Sequence, residues 1–233
     1  MPDFQGFENQ LLAGTWMTLR LAFATLPLGI ALGLMGAAAR LSRLKVLRGL
    51  GTAYVEVFRG LPELLVVLTI YFGASVVLMG LAKRLFDYDG YIELSPFIAG
   101  TLALALTFGA YATEVFRGAF QAIPKGQAEA ALALGMSRGQ VFRRVTLPQT
   151  WRLALPGLGN LFLIMMKDTA LVSVIGLEEL MRKTQFAVGQ TKEPFTFYLS
   201  AALIYLTLTV VAMALLHLME RRANRGLLPR RAG

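Results

Sequence analysis

Along this chain, long apolar stretches alternate with short basic ones. Five stretches reach the roughly 20 apolar residues that a helix rising about 1.5 Å per residue needs to cross a hydrocarbon layer. They lie near residues 12–39, 51–81, 95–116, 153–176 and 197–218, and together they predict a single transmembrane domain over residues 1–233. Arg20 interrupts the first stretch, but 21–39 alone is long enough, which leaves Arg20 snorkelling toward the outer interface. The second is the least regular, because Gly60-Leu61-Pro62 falls inside it. A proline there either opens a helix at its first turn or breaks a longer one in mid-membrane.

Composition agrees with the pattern. The chain has 233 residues, of which 56% are hydrophobic and 16% charged. A soluble domain carries about 25% charged residues, so this chain cannot keep its surface wet. Its net charge of +9 therefore describes basic loops at a membrane face rather than nucleic-acid binding, and no RNA or DNA motif is present. The absence of cysteine excludes a disulfide scaffold, a thiol nucleophile and a thiolate metal site. The opening MPDFQGFENQ has no Lys or Arg before its apolar run, the wrong flank for a cleavable signal, so the first run is expected to be a permanent span.

The distribution of basic residues predicts an orientation. Fifteen of them follow the first, third and fifth runs: Arg40, Arg43, Lys45 and Arg48; Arg117, Lys125, Arg138, Arg143, Arg144 and Arg152; Arg221, Arg222, Arg225, Arg230 and Arg231. Five (Lys83, Arg84, Arg182, Lys183, Lys192) fall in the other loops, beside the acids Asp87, Asp89, Glu93, Glu178, Glu179 and Glu193. The positive-inside rule then places the amino terminus outside and the carboxy terminus in the cytoplasm.

Residues 117–152 are far longer than two antiparallel helices need for their connection. After Pro124, the Ala-, Gln- and Glu-rich run 126–134 predicts a short helix closed by a left-handed Gly135. Ser137 is then placed to cap a second short helix running through Leu147 and stopped by Pro148. The small side chains of Ala130, Ala131 and Ala133 would let another protein approach the backbone closely. A membrane-surface elbow with Arg143 and Arg144 on lipid headgroups satisfies the same physics, and charge and propensity do not separate the two.

The order of residues in this loop is more specific. Glu129-Ala130-Ala131, three residues, Gly135, nine residues, Val145, one residue and Leu147-Pro148 resembles the EAA loop of permease subunits of ATP-binding-cassette (ABC) importers, with Val where Ile is usual. Gly109-Ala110-Tyr111, Glu114, Arg117-Gly118-Ala119 and Pro124-Lys125-Gly126-Gln127 resemble the polar amino-acid branch of that family. So do Tyr54 to Pro62, Ala154-Leu155-Pro156-Gly157 through Lys167, and Thr169 to Gly176. The resemblance spans about residues 10–222 and is closest to the histidine/lysine/arginine/ornithine and opine subgroup. It implies an all-α, five-span inner-membrane permease that pairs with a second permease subunit, a heterodimer by subgroup expectation. It also implies two cytoplasmic ATPase subunits and an extracytoplasmic substrate-binding protein. The EAA helix would be the coupling helix, with Glu129 in polar contact with the ATPase, Ala130 and Ala131 permitting close approach, and Gly135 turning the chain. No GxxxxGK[ST] segment is present to cradle nucleotide phosphates, so ATP and magnesium would be bound by the partner ATPase and not here.

Ionisable groups at the bilayer centre cost about 2.5–3.5 kcal/mol each on insertion scales, so each needs a partner or a pathway. Glu56, Arg59, Glu63, Lys167 and Asp168 are the cases. A continuous helix would put Glu56, Arg59 and Glu63 on one face and neutralise them mutually; a break at Gly60–Pro62 would free Glu63. Glu63 and Asp168 are expected to share a cavity that holds the cationic side chain of a basic amino acid or opine. Thr169 and Ser173, four residues apart, would add hydroxyls from one helix face. A structural contact of Asp168 with the partner permease is the competing reading. His217 is the only histidine and is read as interfacial, since alone it offers at most one metal ligand. Glu178 and Glu179 are expected to be solvated or to dock the binding protein. A secondary transporter coupled to protons through Glu63 or Asp168 is the alternative function, though five spans do not divide into two inverted halves. A membrane scaffold, with the acids serving only to pair helices, is a third.

Overall fold

With no water to serve a bare peptide group, a chain inside hydrocarbon must close its backbone hydrogen bonds locally, and helices do so. The computed structural model describes residues 6–87, 90 and 94–223, and every regular element among them is helical. Asp89, Glu93, Arg225, Arg230 and Arg231, named above as loop or terminal charges, lie outside the described residues, as does the flank 1–5. Five helical segments are long and apolar enough to cross a membrane: Glu8–Leu41, Glu63–Leu85, Pro96–Gln121, Arg138–Ile175 and Pro194–Ala223.

The helices are α1 (Glu8–Leu41), α2 (Lys45–Gly60), α3 (Glu63–Phe86), α4 (Pro96–Gln121), α5 (Lys125–Ala133), α6 (Arg138–Val141), α7 (Leu147–Asp168), α8 (Leu180–Thr191) and α9 (Pro194–Ala223). α4 is central: 67% of its most apolar window is buried, against 11% for α9. Parallel to α4 runs α1, whose Gly29, Gly33 and Gly36 face Phe108, Ala112 and Thr113. Small residues repeating every three or four positions let two helix backbones approach closely in lipid. A Cβ at Gly33 would stand 2.7 Å from the Ala112 Cβ, so only glycine fits that contact. Phe116, Ala154, Leu158 and Met165 extend the same core to α7.

Two expected elements are corrected. The run 51–81 is not one span but the end of α2 followed by most of α3, separated by extended backbone at Leu61 (φ −95°, ψ 142°) and Pro62 (φ −59°, ψ 134°). A proline pushes its predecessor out of the helical region and has no N–H to continue the ladder. α2 buries only Gly51 and Val55 and, at 16 residues, is not among the helices long and apolar enough to cross. The second correction is that Pro148 does not stop a helix. The helical path from Arg138 passes through a π-turn, Phe142–Thr146, and enters α7, with Pro148 directly after the wider turn and the path continuing through it. The fourth span is therefore longer than the expected 153–176, and the connecting loop shorter than 117–152, since α4 runs to Gln121.

The connectivity sorts the loops into two ends. The basic end gathers the last turns of α1, α4 and α9, with α5 and α6; the opposite end carries α8, a 12-residue helix where a loop was expected. Arg20 is exposed and lies 5.8 Å from the ring centroid of Phe97 in the first turn of α4, so it reaches toward the α8 end.

Gly33→Val should overpack the α1–α4 contact and destabilise the protein by roughly 1–3 kcal/mol. Its thermal midpoint in detergent should fall, while that of Gly49→Ala, whose added Cβ meets nothing within 4 Å, should not. Equal midpoints for Gly33→Val and the parent would show that α1 and α4 are not held by this contact.

Candidate functional site

A cavity of about 180 Å³ opens between α3, α4 and α7, lined by Glu63, Thr107, Tyr111 and Asp168 among apolar side chains such as Leu104 and Met165. Leu104 to Tyr111 is the middle of α4, so the cavity sits at mid-depth of the spans. Glu63 reaches it because the break at Leu61–Pro62 starts α3 there, and a carboxylate in a first helical turn is favoured by the helix dipole. The same break disposes of the one-face arrangement of Glu56, Arg59 and Glu63. Glu56 is exposed on α2, and the Arg59 guanidinium lies over the Tyr111 ring, 5.2 Å from its centroid.

Asp168 ends α7 and faces the cavity; the neighbouring Lys167 is exposed and does not line it. Thr169 and Ser173 depart from the expectation. The chain turns into a 3-10 helix over Thr169–Ile175, in which residues four apart point about 120° away from one another. Both are buried outside the cavity lining, and the Thr169 hydroxyl donates to the Met166 carbonyl at 2.7 Å. The hydroxyls beside the acids are those of Thr107 and Tyr111 instead. Thr107 donates to the Ala103 carbonyl at 3.1 Å. The α4 position of both residues, and thus their place in the cavity, is a product of helix packing with no local sequence signal.

At the basic end, α5 is the EAA segment. Its last turn closes in a Schellman arrangement: Gly135 N–H donates to the Leu132 carbonyl at 2.9 Å and Met136 N–H to the Ala131 carbonyl at 3.2 Å, with Gly135 at φ +82°. Ser137 and Gln140 form a capping box for α6, through bonds of 2.8 and 3.4 Å. Glu129 and Ala130 are exposed, as is Gly135, whereas Ala131 is buried and faces inward. Leu134, which the sequence reading passed over, is 84% exposed beside Gly135. Gln149 Nε2 donates to Gln127 Oε1 at 2.6 Å, tying α5 to the first turn of α7. Glu114 of α4 accepts from Arg40 of α1 and from Arg117 at 2.7 and 3.0 Å, cross-linking the two central helices at this end.

At the opposite end the adjacent acids behave differently. Glu178 is exposed and accepts from Lys183 at 2.6 Å, which holds its carboxyl below the ordinary value. Glu179, expected to be solvated, is completely buried. It caps α8 by accepting from the Met181 and Arg182 N–H groups at 2.9 and 2.8 Å, and accepts from the Tyr205 hydroxyl at 3.1 Å. Gly14 makes the burial possible, since a Cβ there would stand 2.9 Å from the Leu180 Cα, and Leu180 N–H donates to Thr18. Burial pushes the Glu179 carboxyl up, against the pull of its hydrogen bonds.

Among the described residues no group of three or more His, Asp or Glu side chains is placed to hold a metal ion. A helical chain with five segments able to span a membrane and a cavity at mid-depth between them has the form of a transport subunit. Comparison with known proteins agrees: residues 27–225 match the family of binding-protein-dependent transport system inner membrane components. The chain belongs to this family, as the permease component of an ABC importer in the inner membrane. It is a transport subunit rather than an enzyme, and its family implies an ATPase and a substrate-binding protein as partners.

Among individual relatives, the nopaline transport system permease protein of Agrobacterium fabrum is 46% identical over 221 residues, covering 95% of this chain and 94% of the relative. The histidine/lysine/arginine/ornithine transport system permease protein of Escherichia coli is 41% identical over 221 residues, covering 95% and 96%. A crystal structure of an amino acid ABC transporter with histidines superposes with a TM-score of 0.78 at 36% identity, covering 92% of this chain and 94% of that one.

Because the Glu179 carboxyl is raised in the folded state, folded protein retains a proton there that the unfolded chain has already released. Stability should therefore fall as pH rises from about 4, the ordinary carboxylate value, through the raised one, and level off above it. Glu179→Gln should remove that part of the slope in thermal midpoints measured across the acidic range. An unchanged slope would assign it to other groups.

Proposed function

We propose that this permease subunit carries a cationic amino acid or an opine, whose positive side chain is held by Glu63 and Asp168. The observation that carries the reading is the pairing of these two carboxylates on one mid-depth cavity whose other lining is mostly apolar. Two like charges at that depth repel and are costly to desolvate unless a cation joins them. The names of the relatives, nopaline in one and histidine, lysine, arginine and ornithine in another, support the same substrate class. Thr169 and Ser173 are assigned to the packing of the 3-10 segment and not to the substrate.

The cavity, about 180 Å³, is smaller than the roughly 300–1,000 Å³ of ordinary ligand pockets. A second permease subunit, a related chain rather than a second copy, would complete it. The basic end faces the cytoplasm under the positive-inside rule, which leaves the start of α1 and the whole of α8 outside. α5 then meets the ATPase, which binds ATP and magnesium. Glu129 supplies a polar contact, Ala130 leaves the helix backbone approachable, and the exposed Leu134 adds an apolar one. Gly135 closes the helix, and Ala131 holds it to the rest of the chain. Movement of α5 reaches Asp168 through the Gln127–Gln149 bond and the unbroken helical path from Arg138 to Asp168. Proton-coupled secondary transport is not favoured, because the chain's family couples transport to partner proteins.

Reconstitution with the partner permease, the ATPase and the binding protein tests this. ATP-dependent uptake of radiolabelled arginine should drop about 10- to 100-fold in Glu63→Gln or Asp168→Asn, the loss expected for one charge-assisted hydrogen bond. Glu129→Lys should abolish uptake while leaving the assembled membrane subunits intact. Normal arginine uptake by both acid variants would remove them from substrate binding, and ATP-independent uptake that ignores Glu129 would restore the secondary-transporter reading.

A further inference from the structure

Arg40 and Arg117 pair with Glu114, and Lys183 with Glu178, and Arg59 takes part in none of these pairs. Arg59 stands in the last turn of α2 beside the break, with its side chain exposed. Its guanidinium sits over the ring of Tyr111, 5.2 Å from the centroid, and Tyr111 itself lines the cavity. A cation at that level without a carboxylate calls for an anion from elsewhere. The break positions the two charges separately. α2 ends with Arg59, favoured there by the helix dipole, and α3 begins with Glu63, favoured at the opposite pole.

An amino acid with a basic side chain carries two positive groups and one negative one. The cavity and the cation on its Tyr111 offer the inverse set: carboxylates on Glu63 and Asp168, and one guanidinium on Arg59. A guanidinium also presents two parallel N–H donors to a carboxylate, a geometry that an ammonium cannot match. We propose that Arg59, poised on Tyr111, binds the substrate's α-carboxylate, so that the site reads both ends of the molecule. This rests on the reading of Glu63 and Asp168 as the side-chain subsite. It adds a requirement for the carboxylate that the acids alone would not impose.

The test is direct binding to the purified complex of both permeases and the ATPase in lipid nanodiscs, without the binding protein, so that its own selectivity does not enter. The ligands are arginine, agmatine, which is arginine without its carboxylate, and glutamine, which keeps the carboxylate but has a neutral side chain. The parent complex should bind arginine about 10- to 100-fold more tightly than agmatine. Arg59→Gln should weaken arginine by that factor and leave agmatine where it was, while Arg59→Lys should recover part of the loss. Monodisperse elution of each complex checks assembly. If Arg59→Gln weakens both ligands equally, Arg59 only packs α2 onto Tyr111 and the proposal fails; no preference for arginine over agmatine in the parent would also overturn it. The arginine-to-glutamine ratio reports separately on the acids. Its insensitivity to Glu63→Gln and Asp168→Asn would end the side-chain subsite reading, whatever Arg59 does.

Discussion

In hydrocarbon no hydrophobic force presses one helix onto another, so the α1–α4 pair must be held by close van der Waals approach, and the rest of this structure is assembled around it. Gly29, Gly33 and Gly36 remove the side chains that would keep the two backbones apart, and Ala112 completes the contact from α4. Once the pair is set, Arg40 meets Glu114 at its basic end, and the Tyr54 hydroxyl of α2 donates to the Leu106 carbonyl at 2.7 Å. α7 then packs on α4 from the other side, where Gly157 accommodates Val115. The cavity is what remains between that α4–α7 contact and α3.

Charge is distributed in this fold according to what each depth can support. At the basic end Glu114 is shared by two arginines, and at the other end Glu179 is buried but saturated by two backbone N–H groups and a tyrosine hydroxyl. Both are structural. Around the cavity, Glu63 and Asp168 line the wall and Arg59 lies over Tyr111, and none of the three belongs to these ion pairs. A continuous helical path runs from α6 to Asp168, with a π-turn at Phe142–Thr146 and Pro156 inside α7 along its way.

The sequence by itself determined the number of spans, the basic ends, the EAA helix with its left-handed Gly135 and the capping role of Ser137. These are local properties: apolar length, charge in short loops, and residues whose side chains or φ preferences act within one turn. It also marked Glu63 and Asp168, because an acid in an apolar run is conspicuous without any neighbour in view. Only the tertiary structure decided which alternative held at Leu61–Pro62, that the helical path runs on through Pro148, and that Thr169 and Ser173 are buried outside the cavity lining. It alone buried Glu179 while leaving Glu178 in solvent, and brought Thr107 and Tyr111 to the cavity of the acids and Arg59 onto Tyr111. Those outcomes depend on contacts between residues far apart in the chain, such as Gly14 with Leu180 or Arg59 with Tyr111. Helical periodicity carries no record of which distant face a side chain will meet.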